Sequence, residues 1–473
     1  MQRFSRYFVG ATGVLMMALV VLLLSLPTNA VTLAQAAPTA TPNDPIWRGF
    51  AASRDAIQEA RNVDLTLVSK WEFEESDWNT SGGIDGCVDL VDITAYRPIY
   101  FGWTYTLTSM RGQVFQTRVS FDLTEIAVCD KISTEAAPAP VAGATIDPNL
   151  PPPVAGSAAI GGFELGGQVL DMSLNTFGLM NRAGMKWVKQ QVHYAPGENG
   201  SKVAGQVNVA HSNGFKILLS IKGEKADLGA NFDGYLAGYA GFLGQAAAAG
   251  ADAIEVWNEP NIDREWPAGQ VNGGTYTKML ASAFNAIKSS NANTIVISAA
   301  PAPTGFFGTA GCTAQGCNDD TFMTQMAQAG AANYMDCVGL HYNEGVIPPG
   351  QASGDPRGGY PTYYFGSMLA RGYNPFGGKP VCFTELGYLS PEGYSQPLPA
   401  NFAWGQNTTA AQQATWLAQA ATLSAQSGHV RMMIVFNVDF PYYTADDPQG
   451  GYAMLRPGGG CPSCDALGGV MKK

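Results

Sequence analysis

From Gly162 onward the chain repeats one unit: a short apolar run, then a longer, often Ala-rich stretch. Eight such runs can be counted: Phe163–Leu170, Trp187–Val192, Lys216–Ile221, Ala253–Trp257, Thr294–Ser298, Cys337–Leu340, Val381–Phe383 and Met432–Val438. Runs this short fit strands. Helical patterns such as Tyr235–Ala249 and Ala410–Ser427 lie between several of them. Eight strand–helix alternations in about 300 residues predict an α/β fold, the (β/α)8 TIM barrel. In that fold the loops after the strands build the active face, so polar residues that end the runs are candidates as a group.

A chain of 473 residues is too long for that barrel alone. Pro/Ala/Thr-rich segments over residues 37–43 and 132–157 read as linkers, the second containing Pro151-Pro152-Pro153. They bound a small β-rich domain over residues 44–131, and the barrel is assigned residues 158–473. The small domain opens on an expected helix, with Asp44 as N-cap, Pro45 at its first position, and Trp47, Phe50 and Ile57 on one side. In a strand-like segment Phe115, Thr117, Val119, Phe121 and Leu123 alternate with polar residues. Trp71, Trp78 and Trp103 are either core aromatics or a sugar-binding face.

Residues 1–36 combine a basic start, an apolar run from Phe8 to Leu26, and Ala34-Gln35-Ala36 as a cleavage site. They read as a secretory signal, or as an uncleaved anchor tethering the protein to a membrane or cell envelope. Both place the rest of the chain outside the cytoplasm. Eight cysteines in an exported chain favour disulfides. The local pairs are Cys87 with Cys129, Cys312 with Cys317, and Cys461 with Cys464; Cys337 and Cys382 are either bonded or merely packed. A zinc site from Cys312, Cys317, Cys461 and Cys464 is the competing reading. The net charge of −11 argues against nucleic-acid or anionic-membrane partners and suits a neutral carbohydrate, or else only provides solubility.

Two glutamates stand out at the ends of runs. Glu259 lies in Trp257-Asn258-Glu259-Pro260 after the fourth run, and Glu385 in Phe383-Thr384-Glu385-Leu386-Gly387-Tyr388 at the seventh. The fourth and seventh strands nearly face each other across a closed eight-strand barrel. Two carboxylates across one pocket are what glycosidic cleavage needs, about 5–5.5 Å apart for a retaining mechanism. Glu259 is then the general acid/base and Glu385 the nucleophile. Asn258 is placed to bond the hydroxyl beside the reacting carbon. The sixth run ends His341-Tyr342-Asn343-Glu344, from which Tyr342 or His341 is expected to donate to Glu385. The second run ends Lys189-Gln190-Gln191-Val192-His193-Tyr194. Lys189 is a candidate cation beside the nucleophile, and His193 a candidate sugar contact. Trp257 and Asn437, at the ends of the fourth and eighth runs, complete the substrate-binding candidates. Glu164, in the first run, is a weaker one or an ordinary barrel-interior polar group. Aromatics in the later loops (Tyr360, Tyr363, Tyr364, Tyr388, Tyr394, Trp404, Tyr442 and Tyr443) either stack on sugars or fold onto one another.

On these residues the segment from Gly162 to Arg456 resembles the retaining glycoside hydrolases of clan A, closest in flavour to bacterial family 39-like and family 5-like cellulase-type enzymes. Asn258-Glu259-Pro260 matches the Asn-Glu of strand 4, Glu385 the nucleophile of strand 7, and His341 the histidine of strand 6. The resemblance implies Glu259 as acid/base and Glu385 as nucleophile. Three places depart from the pattern. Lys189 stands near the usual arginine, Tyr342 follows His341 directly, and Phe436, Asn437 and Phe440 stand where strand 8 commonly ends in tryptophan. The expected activity is hydrolysis of a β-glycosidic bond with retention, needing no metal or organic cofactor. The alternatives are a transglycosylase on the same barrel and an inactive sugar-binding or cell-envelope protein.

Overall fold

The computed structural model describes residues 45–78, 87–89, 100–129, 150–156, 158, 161–305, 307, 311–444 and 446–472. The expected leader, the first linker, the Asp44 cap and most of the second linker lie outside them.

A helix, Pro45–Arg61, opens the described chain. Five antiparallel strands follow: β1 (Val68–Trp78), β2 (Cys87–Asp89), β3 (Tyr100–Ser109), β4 (Val114–Ser120) and β5 (Ile126–Cys129), in the order β1-β3-β4-β5-β2. The register sets Cys87 opposite Cys129. Phe50 and Ile57 of the helix are buried against Trp71, Trp103, Tyr105, Phe115 and Val119. Trp71 and Trp103 are therefore core aromatics and not a sugar-binding face; the Trp78 side chain is outside the description. The alternation expected from Phe115 holds through Val119. It then fails because β4 ends at Ser120 and the chain turns, with Leu123 at φ 61° and Phe121 left 45% exposed.

All eight apolar runs form parallel strands: β6 (Glu164–Gln168), β7 (Trp187–Tyr194), β8 (Lys216–Gly223), β9 (Ala253–Val256), β10 (Ile295–Ser298), β11 (Val338–Tyr342), β12 (Val381–Leu386) and β13 (Val430–Val435). Their order is β10-β9-β8-β7-β6-β13-β12-β11. The circle closes through a bridge between Ile297 and Cys337, with Ser298 N–H donating to Cys337 O at 3.2 Å. Gly339 permits that seam, since a Cβ there would overlap the Ser298 carbonyl. Helices Phe232–Ala248 and Ala410–Ser427 stand close to where their patterns place them.

Strand alternation sorts the side chains into two layers. Val188, Ile217, Leu219, Ile254, Val256, Val296 and Leu340 face outward and join the helices in one cluster. Trp187, Leu218, Ala253, Ile297, Cys337, Cys382, Met432 and Ile434 fill the barrel interior. Glu164 begins β6, level in register with Met432 and Cys382 and thus away from the strand tips. It accepts from Lys216 at 2.9 Å, Arg431 at 2.8 Å and Trp187 Nε1 at 2.7 Å. Burial pushes its carboxyl up, but these donors outweigh burial and bring its pKa to about 2. It belongs to a structural ion cluster at the end of the barrel where the strands begin.

Cys312–Cys317, Cys337–Cys382 and Cys461–Cys464 are disulfides, which removes the zinc reading and fits an oxidising compartment. No described helix is long and apolar enough to cross a membrane. Leu67 and Met110 of the small sheet's segment belong to the barrel's cluster. Ser367 Oγ donates to Ser69 O, and Gly366 leaves no room for a Cβ beneath Val68 O.

Candidate active site

The strand tips of β7, β9, β11 and β12 bring five ionisable side chains together. Ala253 and Glu255 of β9 face the barrel interior, while Ile254 and Val256 face the helices. Simple alternation would turn Trp257 inward next. Instead Trp257 has φ 76°, rare for a bulky residue. Its N–H donates to Ile221 O at 3.0 Å, which holds the turn. The indole swings out among Tyr235, Tyr239 and Trp266, fully buried, with Nε1 donating to Glu265 O at 3.2 Å. The expectation that Trp257 binds substrate is therefore corrected: it is a packed pivot. Beyond it, Asn258 and Glu259 emerge at the tip.

Glu259 and Glu385 are 8% and 6% exposed, so each is buried but reaches solvent. His341 of β11 lies between them. Its Nδ1 is 3.1 Å from Glu259 Oε1 and 3.9 Å from Glu385 Oε2. Those two distances together bound the separation of the oxygens at about 7 Å, which admits the spacing of a sugar-cleaving pair. Lys189 of β7 lies on the other side of Glu385. Its Nζ donates to Glu385 Oε1 at 3.1 Å and Thr384 O at 3.0 Å, and stands 3.3 Å from Glu255 Oε2. His341 Nε2 is 4.0 Å from Glu255 Oε1. Cations and carboxylates thus alternate: Glu255, Lys189, Glu385, His341, Glu259. Arg264 ends the series with a contact to Glu259 Oε2.

The electrostatics follow from that order. Burial opposes the charge on Lys189, but Glu255 and Glu385 outweigh it and raise the pKa above 10.5. Burial also opposes the charge on His341; Glu385 and Glu259 outweigh it and raise the pKa above 6.5. Burial pushes Glu259 up, yet the bond from His341 and the charges of His341 and Arg264 bring it down to about 2.

Tyr342 does not reach Glu385. Its neighbour His341 faces the barrel, so period-2 alternation turns Tyr342 outward, where its OH donates to Tyr363 O at 3.0 Å. The donors to Glu385 are Lys189 and Asn343, whose Nδ2 lies 3.4 Å from Oε2. Asn437 is also corrected as a sugar contact. It is fully buried, donating to Gln449 O at 3.0 Å and accepting from Phe440 N at 3.0 Å, and so it ties the loop after β13. His193 stands farther along β7 at the rim, half exposed and 2.9 Å from Glu224. Asn258 Nδ2 donates to Glu265 Oε1 at 3.2 Å. Its Oδ1, and that of Asn343, are buried with no partner among the described residues.

The loop aromatics mostly pack on one another. Tyr364 and Tyr388 are core. Tyr394 stacks on Tyr443 at 4.0 Å, and the Arg357 guanidinium lies over Tyr363 and Trp404. Tyr442 is exposed.

Sequence reasoning left Glu255, Arg264 and Asn343 unassigned. Glu255 carried a signal: it lies two residues from Ala253 on an apolar strand, where a charge has no place without a partner. Arg264 carried none, because its contact depends on a loop that returns to the tip.

No protein-family model matches the chain, and no curated protein matches it. Among solved structures it is similar to a family 39 glycoside hydrolase from the gut symbiont Bacteroides cellulosilyticus WH2, at 17% identity over 81% of this chain and 76% of that one, with a TM-score of 0.49. It is also similar to an endo-1,4-beta-mannanase from Rhizomucor miehei, at 13% identity over 66% and 96%, TM-score 0.41. The catalytic domain of Thermobifida fusca endoglucanase Cel5A aligns at 12% identity over 66% and 92%, TM-score 0.38.

Proposed function

We propose that this protein is a retaining glycosidase that cleaves a β-glycosidic bond of an oligo- or polysaccharide outside the cytoplasm by double displacement. The observation that carries the reading is His341 Nδ1 in reach of both strand-tip carboxylates, which ties Glu259 and Glu385 to one pocket. Glu385 is the nucleophile. Lys189 and Asn343 orient it by donating to its two oxygens. Glu259 is the acid/base. It gives a proton to the leaving oxygen, then takes one from water as the glycosyl–enzyme ester breaks. The unpartnered carbonyls of Asn258 and Asn343 are acceptors for substrate hydroxyls. His193 on the rim is a further contact for a bound sugar. None of these steps calls on a metal or organic cofactor. We also assign residues 44–131 and 158–473 to two domains joined by the Pro/Ala-rich linker.

The test is a screen of aryl β-glycosides and polysaccharides with the purified protein and with Glu259→Ala and Glu385→Ala. Each substitution is expected to cut turnover at least about 10³-fold while leaving the thermal melt nearly unchanged. Azide is expected to rescue Glu385→Ala with inverted product and Glu259→Ala with retained product. Full turnover by either variant sinks the assignment.

A further inference from the structure

Both oxygens of Glu259 have a partner. His341 Nδ1 sits at Oε1, and the Arg264 guanidinium sits on Oε2. A proton donor needs one oxygen turned to the leaving group, within about 2.6–3.2 Å. A second lone pair remains on each oxygen, but a proton on Oε2 competes with the donor-only Arg264 guanidinium already there, so turning that oxygen to the leaving group favours the loss of one partner. His341 cannot leave: it is fully buried on β11, wedged among Glu255, Glu259 and Glu385. The Arg264 side chain is 70% exposed.

The backbone that carries Arg264 is held on both sides. Asn261 is buried, donating to Ala302 O at 3.0 Å and Cys317 O at 3.1 Å and accepting from Ala302 N at 2.7 Å. Asp263 N–H donates to Gln315 O at 2.7 Å, within the loop closed by Cys312–Cys317. Glu265 is buried and bonded to Lys222 at 2.8 Å, and Trp266 is core. A rigid loop thus presents one movable side chain, and its tip covers the acid.

We propose that Arg264 is a substrate-displaced latch: in the free protein it blocks Glu259 Oε2, and the leaving-group sugar must turn it away before Glu259 can donate a proton. The proposal rests on the reading of Glu259 as acid/base. The charged groups around Glu259 are His341 from β11 and Arg264 from its own loop. Behind them stand Glu385 of β12, Lys189 of β7, Glu255 of β9, and Glu265. Removing Arg264 takes away one of the two cations in contact with Glu259, so the carboxyl binds its proton more readily. Arg264 is a positioning residue in this scheme: it acts through Glu259.

The experiment compares wild type, Arg264→Lys and Arg264→Gln in two measurements. The first is the titration of Glu259 in ¹³C-glutamate-labelled free protein, with the resonance assigned by Glu259→Gln. It is expected to move to higher pH in Arg264→Gln and less so in Arg264→Lys. The second is kcat/KM against pH for the glycoside that turns over best in the screen above, as its phenyl and 2,4-dinitrophenyl forms. With phenyl, which needs the acid, the basic limb of Arg264→Gln is expected to rise by about one unit, a tenfold rate gain above the limb. With dinitrophenol, which leaves unaided, it is expected to stay put. An unmoved Glu259 titration, or a phenyl limb that stays put or falls, overturns the latch. If the wild type turns over no glycoside, the glycosidase reading fails on its own, and the titration alone decides whether Arg264 holds Glu259.

Discussion

Glu259 and His341 share one hydrogen bond, and each reports on the other through pH. The carboxyl of Glu259 is held at about 2, below its ordinary 4.5. A lowered acid contributes stability that is fully present above its unfolded value and is lost as pH falls through the folded one. Its loss therefore spans about pH 4.5 down to 2, and Glu164, also near 2 but less deeply buried, adds a smaller share. His341 is raised above 6.5, so its contribution is full below 6.5 and fades as pH rises through its higher folded value. The urea midpoint is expected to fall on both sides of this window, and Glu259→Gln is expected to flatten the acid side. An acid limb of unchanged steepness in that variant refutes the assignment. The two glutamates were singled out from strand-end motifs, because a carboxylate ending an apolar run has little structural reason to be there. Partner choice was not readable. Tyr342 and His341 are adjacent in the chain, and only the strand's pleat decides which of them faces Glu385.

At the scale of elements, β11 and β12 carry His341 and Glu385, and their starts are joined inside the barrel by Cys337–Cys382. The bond closes a segment of 45 residues. The chain-entropy relation puts the contribution of such a loop at about 4 kcal/mol. A Cys337→Ala/Cys382→Ala double variant is expected to lose about that much in urea unfolding, with the melt following. A loss under about 1 kcal/mol would show that the neighbouring ladders fix these strands unaided. The positions of all eight strands were legible, because short apolar runs between helical stretches have few other folds. Their ends were less so. The fourth run was read through Trp257, yet β9 stops at Val256 because Trp257 takes a left-handed turn. That turn aims Glu259 and moves the indole from the pocket into the helix layer.

For the whole molecule, the small sheet is more than an appendage. Leu67 and Met110 enter the barrel's own cluster, and the helix Phe365–Tyr373 touches β1 through Gly366 and Ser367. A chain beginning at Leu150 is expected to melt several degrees below the full protein, since removing Leu67 and Met110 exposes the apolar barrel surface they pack on. An unchanged melt would mean that the contact contributes nothing to the barrel. Eight cysteines in a chain with an apolar leader pointed to an oxidising compartment, and the three described disulfides fit it.

The barrel was legible from local pattern, short apolar runs with helical stretches between them, and the two glutamates were singled out as carboxylates at run ends. Tertiary structure decided which groups meet. Lys189 reaches Glu385 across nearly two hundred residues of chain. Glu255 lies buried against Lys189, and Arg264 folds back over Glu259. Such contacts are set by strand register, by one positive φ and by loop return, which couple residues by distance in space and leave no mark in their spacing along the chain.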